Sequence, residues 1–255
     1  METLPKNGSI STVIHSKIAT IAFGHPSGNS FPSTLLKDLT TEIESLGTNP
    51  NITLIVIKSI GNGAFCAGAS FDELLSVSDL EQGTVFFSRF AHAINAMRKC
   101  PKLIIGRIHG KAVGGGVGLA SACDYALAHQ SAAVKLSELT IGIGPFVIEP
   151  AVSRKIGKTA FAEMSLSADE WKTAQWAKEK GLYAQVYGTI AELDDALAII
   201  CEKLASYNPE ALQEIKKIFW EGTENWGTLL YERAAISGNL VLSDFTKNAL
   251  ASLRK

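Results

Sequence analysis

The sequence predicts an α/β layer fold that passes into a helical C-terminal part. Three observations carry that expectation. Short β-branched runs alternate with amphipathic stretches over the first half of the 255 residues, the pattern of strands and helices in layers. Two glycine-rich stretches, 61–75 (GNGAFCAGASFDELL) and 110–124 (GKAVGGGVGLASACD), each follow an apolar run and open into a helix-like segment. After Glu149 the apolar residues keep a helical period almost throughout. The expected organisation is an α/β core over 1–187 and a helical module over 188–255, divided near 182–188.

Residues 8–15 and 18–23 read as two strands joined by Ser16-Lys17, a two-residue hairpin. A glycine- and proline-rich loop at 25–32 leads to Ser33, a cap for a helix in which Leu35, Leu36, Leu39, Ile43 and Leu46 recur with a 3.6 period. Residues 52–57 have the β-branched run of a buried strand. After the loop at 61–70, residues 80–97 form a helix that turns Phe86, Phe87, Phe90, Ile94 and Met97 inward. Strands follow at 102–108, 125–128 and 133–136. A helix over 169–180 starts from the cap-like Ser167/Asp169 region and stops at Gly181. The helix over 189–207 places Ile190, Leu193, Leu197, Ile200, Cys201 and Leu204 on one face. Asn208 followed by Pro209 is a strong start signal, and 226–253 supplies one or two further helices. Trp171, Trp176, Trp220 and Trp226 fall in helical segments, where they fill core or subunit contacts.

Composition narrows the function. Hydrophobic residues make up 46% and charged residues 19%, enough for a sizeable core and too apolar for global disorder. The formal net charge of −1 gives no general attraction to nucleic acid or to an anionic membrane. Cys66, Cys100, Cys123 and Cys201 are widely spread, without metal-ligand spacing, so no metal site or disulfide framework is expected and a reducing compartment fits. The opening METLPKNG lacks the order of a signal peptide, and no run approaches the ~20 apolar residues of a membrane span. The expectation is a cytoplasmic protein with no membrane or nucleic-acid partner.

Three glycines, Gly114 to Gly116, stand at a strand-to-helix junction. Such a junction can expose backbone N–H groups at the positive end of a helix. Alone, a glycine triplet is most simply a tight turn. The second glycine-rich junction about fifty residues upstream changes the balance. Two junctions can each direct one N–H at the same carbonyl oxygen, which is what a developing enolate or tetrahedral oxyanion needs.

FCAGASF together with GKAVGGGVGLASACD resembles the crotonase superfamily, the enoyl-CoA hydratase/isomerase enzymes. The similarity runs from the first hairpin to the C-terminal helices, through SELTIG at 137–142, IGK at 156–158, KGL at 180–182 and NPEAL at 208–212. It implies a crotonase-like spiral of ββα units with a helical trimerisation region. The ligand would be an acyl-CoA thioester, with coenzyme A part of the substrate and no separate cofactor, and the assembly a homotrimer or a hexamer built as a dimer of trimers. Ala69 and Gly115 match the two oxyanion-hole donors, and Ala64, Ala67, Phe71 and Gly114 match positions around the CoA moiety. Ser70 departs from the aspartate usual after AGA.

The resemblance makes the carboxylates decisive. Family hydratases carry two glutamates. One position matches Glu138, while the other matches Gly118, which cannot transfer a proton. One buried carboxylate between apolar neighbours can move a proton between two carbons of an enolate, which is double-bond isomerisation. Hydration normally needs a second group. Glu149, in the IGPFVIEPAV segment, is either that replacement group or a carboxylate favourably placed at a helix start, worth ~0.3–1 kcal/mol. The alternatives are a hydratase that uses Glu149 or water, and a non-catalytic acyl-CoA-binding subunit. Phe86, Phe87, Phe90 and Phe146 are candidates to shape the acyl pocket, Asp124 reads as structural, and His109 as a packed loop residue. No GxSxG or phosphate-loop motif is present.

Overall fold

Two strands, β1 (Ser9–His15) and β2 (Ile18–Gly24), pair antiparallel about Ser16-Lys17, with Ser16 at φ 54. This computed structural model describes residues 4–252; the first three residues of the N-terminal reading, and Leu253 of the last expected helix, lie outside them. From β2 onward the pairing is parallel. The strands β3 (Leu54–Ser59), β4 (Leu103–Ile108), β6 (Tyr125–His129) and β8 (Gln185–Tyr187) extend one six-stranded sheet in the order β1-β2-β3-β4-β6-β8. Parallel neighbours need crossovers, and helices supply them. Leu35, Leu36, Leu39, Ile43 and Leu46 of α1 (Ser33–Thr48) are all buried, as the periodicity predicts. α3 (Leu80–Lys99) crosses between β3 and β4.

A second, inner ladder gives the spiral its form. β5 (Ala112–Val113) pairs with β7 (Val134–Lys135), Cys66 bridges to Ala112, and Val134 bridges to Lys172. Each turn of chain thus contributes one strand to the outer sheet and one short segment to the inner ladder. That ladder also explains a difference from the sequence reading. The helix expected over 169–180 is only α6 (Ala174–Glu179), capped by Thr173, because Lys172 exchanges N–H and C=O bonds with Val134 (2.9 and 2.8 Å). Trp171 is accordingly in no helix and is 39% exposed. Ser33 is likewise not a cap. It is the first residue of α1, after Pro32, and its N–H and hydroxyl both donate to Glu73.

The last helices are α7 (Ile190–Ala205), α8 (Pro209–Phe219), α9 (Trp226–Leu240) and α10 (Asp244–Ser252). Thr189 and Glu192 close a capping box on α7, and Asn208 caps α8. Leu193 and Cys201 of α7 are buried, with Leu197, Ile200 and Leu204 packed beside Leu54, Val56 and Ile105 on the sheet. Ile190 is 41% exposed instead of inward, because it lies at the first turn of the helix, beyond that contact. α9 lies along α3. Asp124 is structural, as expected: it binds Trp220, Lys216 and the amide of Ile104. All four cysteines are free and buried, and no helix among the described residues is long and apolar enough to cross a membrane.

Candidate active site

The loop after β3 is held from below by Asn29, whose side-chain amide donates to the carbonyls of Ile60 and Ala64 (3.0 and 2.8 Å). Phe31 then bridges to Ala69 in parallel fashion, through Phe31 N–H to Gly68 O (2.8 Å) and Ser70 N–H to Phe31 O (2.9 Å). In that geometry the flanking residues make the bonds, and the Ala69 N–H donates to no acceptor among the described residues. Ser70 next caps α2 (Phe71–Ser76) by accepting from the Glu73 N–H. A serine at this position therefore does what an aspartate would also do: both offer a short side-chain oxygen to a helix start.

At the second junction the chain turns at Gly114 (φ 51, ψ −117) into α4 (Gly115–Ala122). That conformation is open essentially to glycine alone. A Cβ there would also come within 2.9 Å of Glu138 Oε1. Gly114 N–H is fixed to Lys135 O (2.9 Å), while the N–H of Gly115, at the first helical position, has no acceptor among the described residues. A Cβ on Gly115 would overlap the Phe90 ring. The two junctions touch: a Cβ on Gly68 would lie 3.0 Å from Val113 O and 3.6 Å from Gly115 N. Two free amides and one carboxylate therefore occupy a single neighbourhood.

Glu138 opens a short 3-10 helix (Glu138–Ile141) that ends at Gly142. Its Oε2 is buried and meets no hydrogen-bond partner among the described residues. Burial pushes the carboxyl up from the ordinary 4.5 to about 7, opposed weakly by its own backbone N–H. The carboxylate faces a cavity of about 170 Å³, close to the ~150 Å³ that holds a benzene molecule in an apolar protein interior. Ala67, Ala69, Phe71, Gly114, Gly115 and Glu138 all line it. So do all four phenylalanines expected to shape the pocket, Phe86, Phe87, Phe90 and Phe146. Ala64 does not; its carbonyl is committed to Asn29 beneath the loop.

Glu149 is also not a lining residue. At the start of α5 (Glu149–Leu166) its carboxylate is ion-paired with Lys158 and Arg233 and accepts from Ser153 (2.6 Å). Burial would raise its pKa, but these partners together hold it below the ordinary carboxylate range. The helix-start reading of this residue describes it; nothing places it at the reacting end of the cavity. The contact that the preceding residue, Ile148, makes is what sequence reasoning missed. A Cβ on Gly118 would lie 2.5 Å from Ile148 Cγ2 and 2.8 Å from Ile148 Cβ. An isoleucine side chain thus fills the space that any side chain at position 118 would need. Ser237 of α9 was missed as well, and it too lines the cavity. His109 is packed as expected, 4% exposed, and its ring is held neutral to about 4, chiefly by burial and then by Arg107.

An α/β spiral around an apolar cavity lined by unpaired backbone amides and a buried carboxylate describes a class, the crotonase-fold enzymes. The chain belongs to the enoyl-CoA hydratase/isomerase family, whose model matches residues 13–240. It is 30% identical over 198 residues to the 2,3-dehydroadipyl-CoA hydratase of Escherichia coli, covering 77% of this chain and 75% of that one. It is 28% identical over 197 residues to the peroxisomal Delta(3,5)-Delta(2,4)-dienoyl-CoA isomerase of Arabidopsis thaliana, covering 71% and 69%. Among solved structures, the enoyl-CoA hydratase of Bacillus halodurans superposes with a TM-score of 0.89 at 20% identity, over 95% of this chain and 99% of that one, a likeness of fold.

Proposed function

We propose that the protein is an enoyl-CoA isomerase that moves a carbon–carbon double bond by proton transfer through Glu138. The thioester oxygen accepts from the Ala69 and Gly115 N–H groups. Glu138, ionised, removes a proton from the carbon next to the thioester of a 3-enoyl-CoA. The C–H electron pair forms the enolate, whose charge sits on the oxygen between the two amides. The same carboxyl then returns the proton to the far end of the conjugated system, and the double bond moves one position toward the thioester. Atoms balance without any further group, and coenzyme A serves as part of the substrate, its pantetheine running out past Ala67 and Phe71. A carboxyl near 7 is well matched to giving and taking a proton at neutral pH.

The observation that carries isomerisation over hydration is Ile148 packed onto Gly118. It leaves Glu138 as the one carboxylate lining the cavity among the described residues, with no second one to activate water. Purified protein assayed with 3-enoyl- and 2-enoyl-CoA thioesters should migrate the double bond and hydrate poorly. Activity that survives Glu138→Gln but disappears in Glu149→Gln would move the catalytic role to Glu149 and overturn the assignment. Gly118→Glu alone should overpack against Ile148 and cost about 1–3 kcal/mol in thermal unfolding. With Ile148→Gly added, the new carboxylate has room. The double variant should gain hydration of 2-enoyl-CoA that the single variants lack. A helical trimerisation role for the C-terminal region belongs to the same reading. It is supported by apolar surface on α8 and α10, where Ile218 is 56% and Phe245 66% exposed. Light scattering should give the mass of a trimer or hexamer.

A further inference from the structure

Two residues that line the cavity carry a buried side-chain oxygen without a partner among the described residues, Glu138 at Oε2 and Ser237 at Oγ. The first is used by the proposed reaction; the second is not. Ser237 is 1% exposed. A helical serine usually satisfies itself on the carbonyl four residues back, here that of Arg233, and this one does not. A buried hydroxyl without a partner is costly, and an unpartnered one on a residue that lines a cavity points to a ligand there.

Its position along the cavity can be read from the helix pair. Asn95 donates to Trp226 O (3.2 Å), His92 packs edge-on against Tyr231 (centroids 5.1 Å), and a Cβ on Gly83 would meet Gly238 O at 2.8 Å. α3 and α9 therefore run antiparallel in fixed register, and Ser237 stands abreast of residues 84–86. The reacting end is marked by Phe90, whose ring lies against Gly115. At 1.5 Å of rise per residue, Ser237 is roughly 6–9 Å along α3 from that point. An acyl chain bound by its thioester at Gly115 would bring carbons several bonds further along abreast of the hydroxyl.

Resting on the acyl-CoA reading above, we infer that Ser237 binds a neutral oxygen, a hydroxyl or a ketone, on the distal part of the acyl chain, so that the substrate class is an oxygenated short acyl-CoA. A plain alkyl chain would leave the hydroxyl without its bond. A carboxylate end would be buried without a counter-charge, since no lysine, arginine or histidine lines the cavity among the described residues.

The test uses saturated ligands, which bind but cannot react. Calorimetric Kd values are measured for hexanoyl-CoA and 5-oxohexanoyl-CoA, with 5-hydroxyhexanoyl-CoA as the hydroxyl counterpart, on wild type and Ser237→Ala. Wild type should bind an oxygenated ligand roughly tenfold tighter than hexanoyl-CoA. In the variant that ratio should fall to about one, through lost affinity for the oxygenated ligand. Equal affinities in wild type, or a preference unchanged in Ser237→Ala, overturns the inference and leaves the acyl-CoA reading intact. Failure of wild type to bind any of the three overturns that reading and the inference with it. The variant removes an unsatisfied buried hydroxyl, so its thermal midpoint should equal or exceed that of wild type; a lower one would show the hydroxyl bonded within the protein and count against the inference.

Discussion

Glu138→Gln should lower the rate of double-bond migration by about 10²–10⁴-fold, the range for loss of a positioned acid/base group. The glutamine preserves shape and burial, so KM should change far less than kcat. In wild type kcat/KM should rise with pH through about 7, because the carboxyl must be ionised to take the first proton. The residual rate of the variant should lack that limb. Stability should move the other way. The folded protein holds this carboxyl protonated to a higher pH than the unfolded chain does. Its contribution is therefore favourable in acid and is lost as pH rises from 4.5 through about 7. At about 1.4 kcal/mol per pH unit, the cost of ionising it in the fold is about 3.5 kcal/mol. Glu138→Gln should thus raise the thermal midpoint at pH 8 and change it little at pH 4. A variant equally active at all pH values, or no more stable at pH 8, would remove Glu138 from the role.

Much of this site was legible in the sequence because its parts are set by local chemistry. The triplet Gly114–Gly116 marks a junction where backbone must approach a neighbour, and the structure shows the neighbours to be Glu138, Phe90 and Cys66. The helical period of α3 foretold that Phe86 and Phe90 face inward. Gly118 could be read as a missing carboxylate, but its consequence could not, since Ile148 lies thirty residues away in sequence and meets it only through the packing of α4 on α5. Ser237 has no local signature at all: a serine in an apolar helix reads the same whether it faces solvent, core or cavity. The helix expected over 169–180 failed for a related reason. Its propensity is sound, and a long-range exchange of hydrogen bonds between Lys172 and Val134 overrides it.

Asp124→Ala should cost about 3–5 kcal/mol, the penalty for stranding one member of a buried ion pair. Asp124 accepts from Ile104 N–H (2.7 Å) and Trp220 Nε1 (2.7 Å), and pairs with Lys216 at 2.9 Å, both charged side chains being at most 3% exposed. Lys216 also donates to the carbonyls of Met97 and Lys102 (2.9 and 2.7 Å). One carboxylate and one ammonium thereby tie the end of α3, the start of β4 and α8 together. Alanine would leave the ammonium buried beside carbonyls alone, with two N–H donors unpaired. In a chain of this size that loss lowers the thermal midpoint by roughly 6–20 °C. Asp124→Leu with Lys216→Met should recover most of it, because replacing a buried pair by apolar residues of similar volume is often nearly neutral. Neither residue lines the cavity, so the Asp124→Ala protein that remains folded at low temperature should keep its kcat within a few fold. The two carboxylates therefore predict opposite signatures. Loss of Glu138 removes catalysis and gains stability above neutral pH, whereas loss of Asp124 spends stability and spares catalysis. A variant at either position showing the other's signature would mean that site and scaffold are not separable in the way the hydrogen bonds divide them.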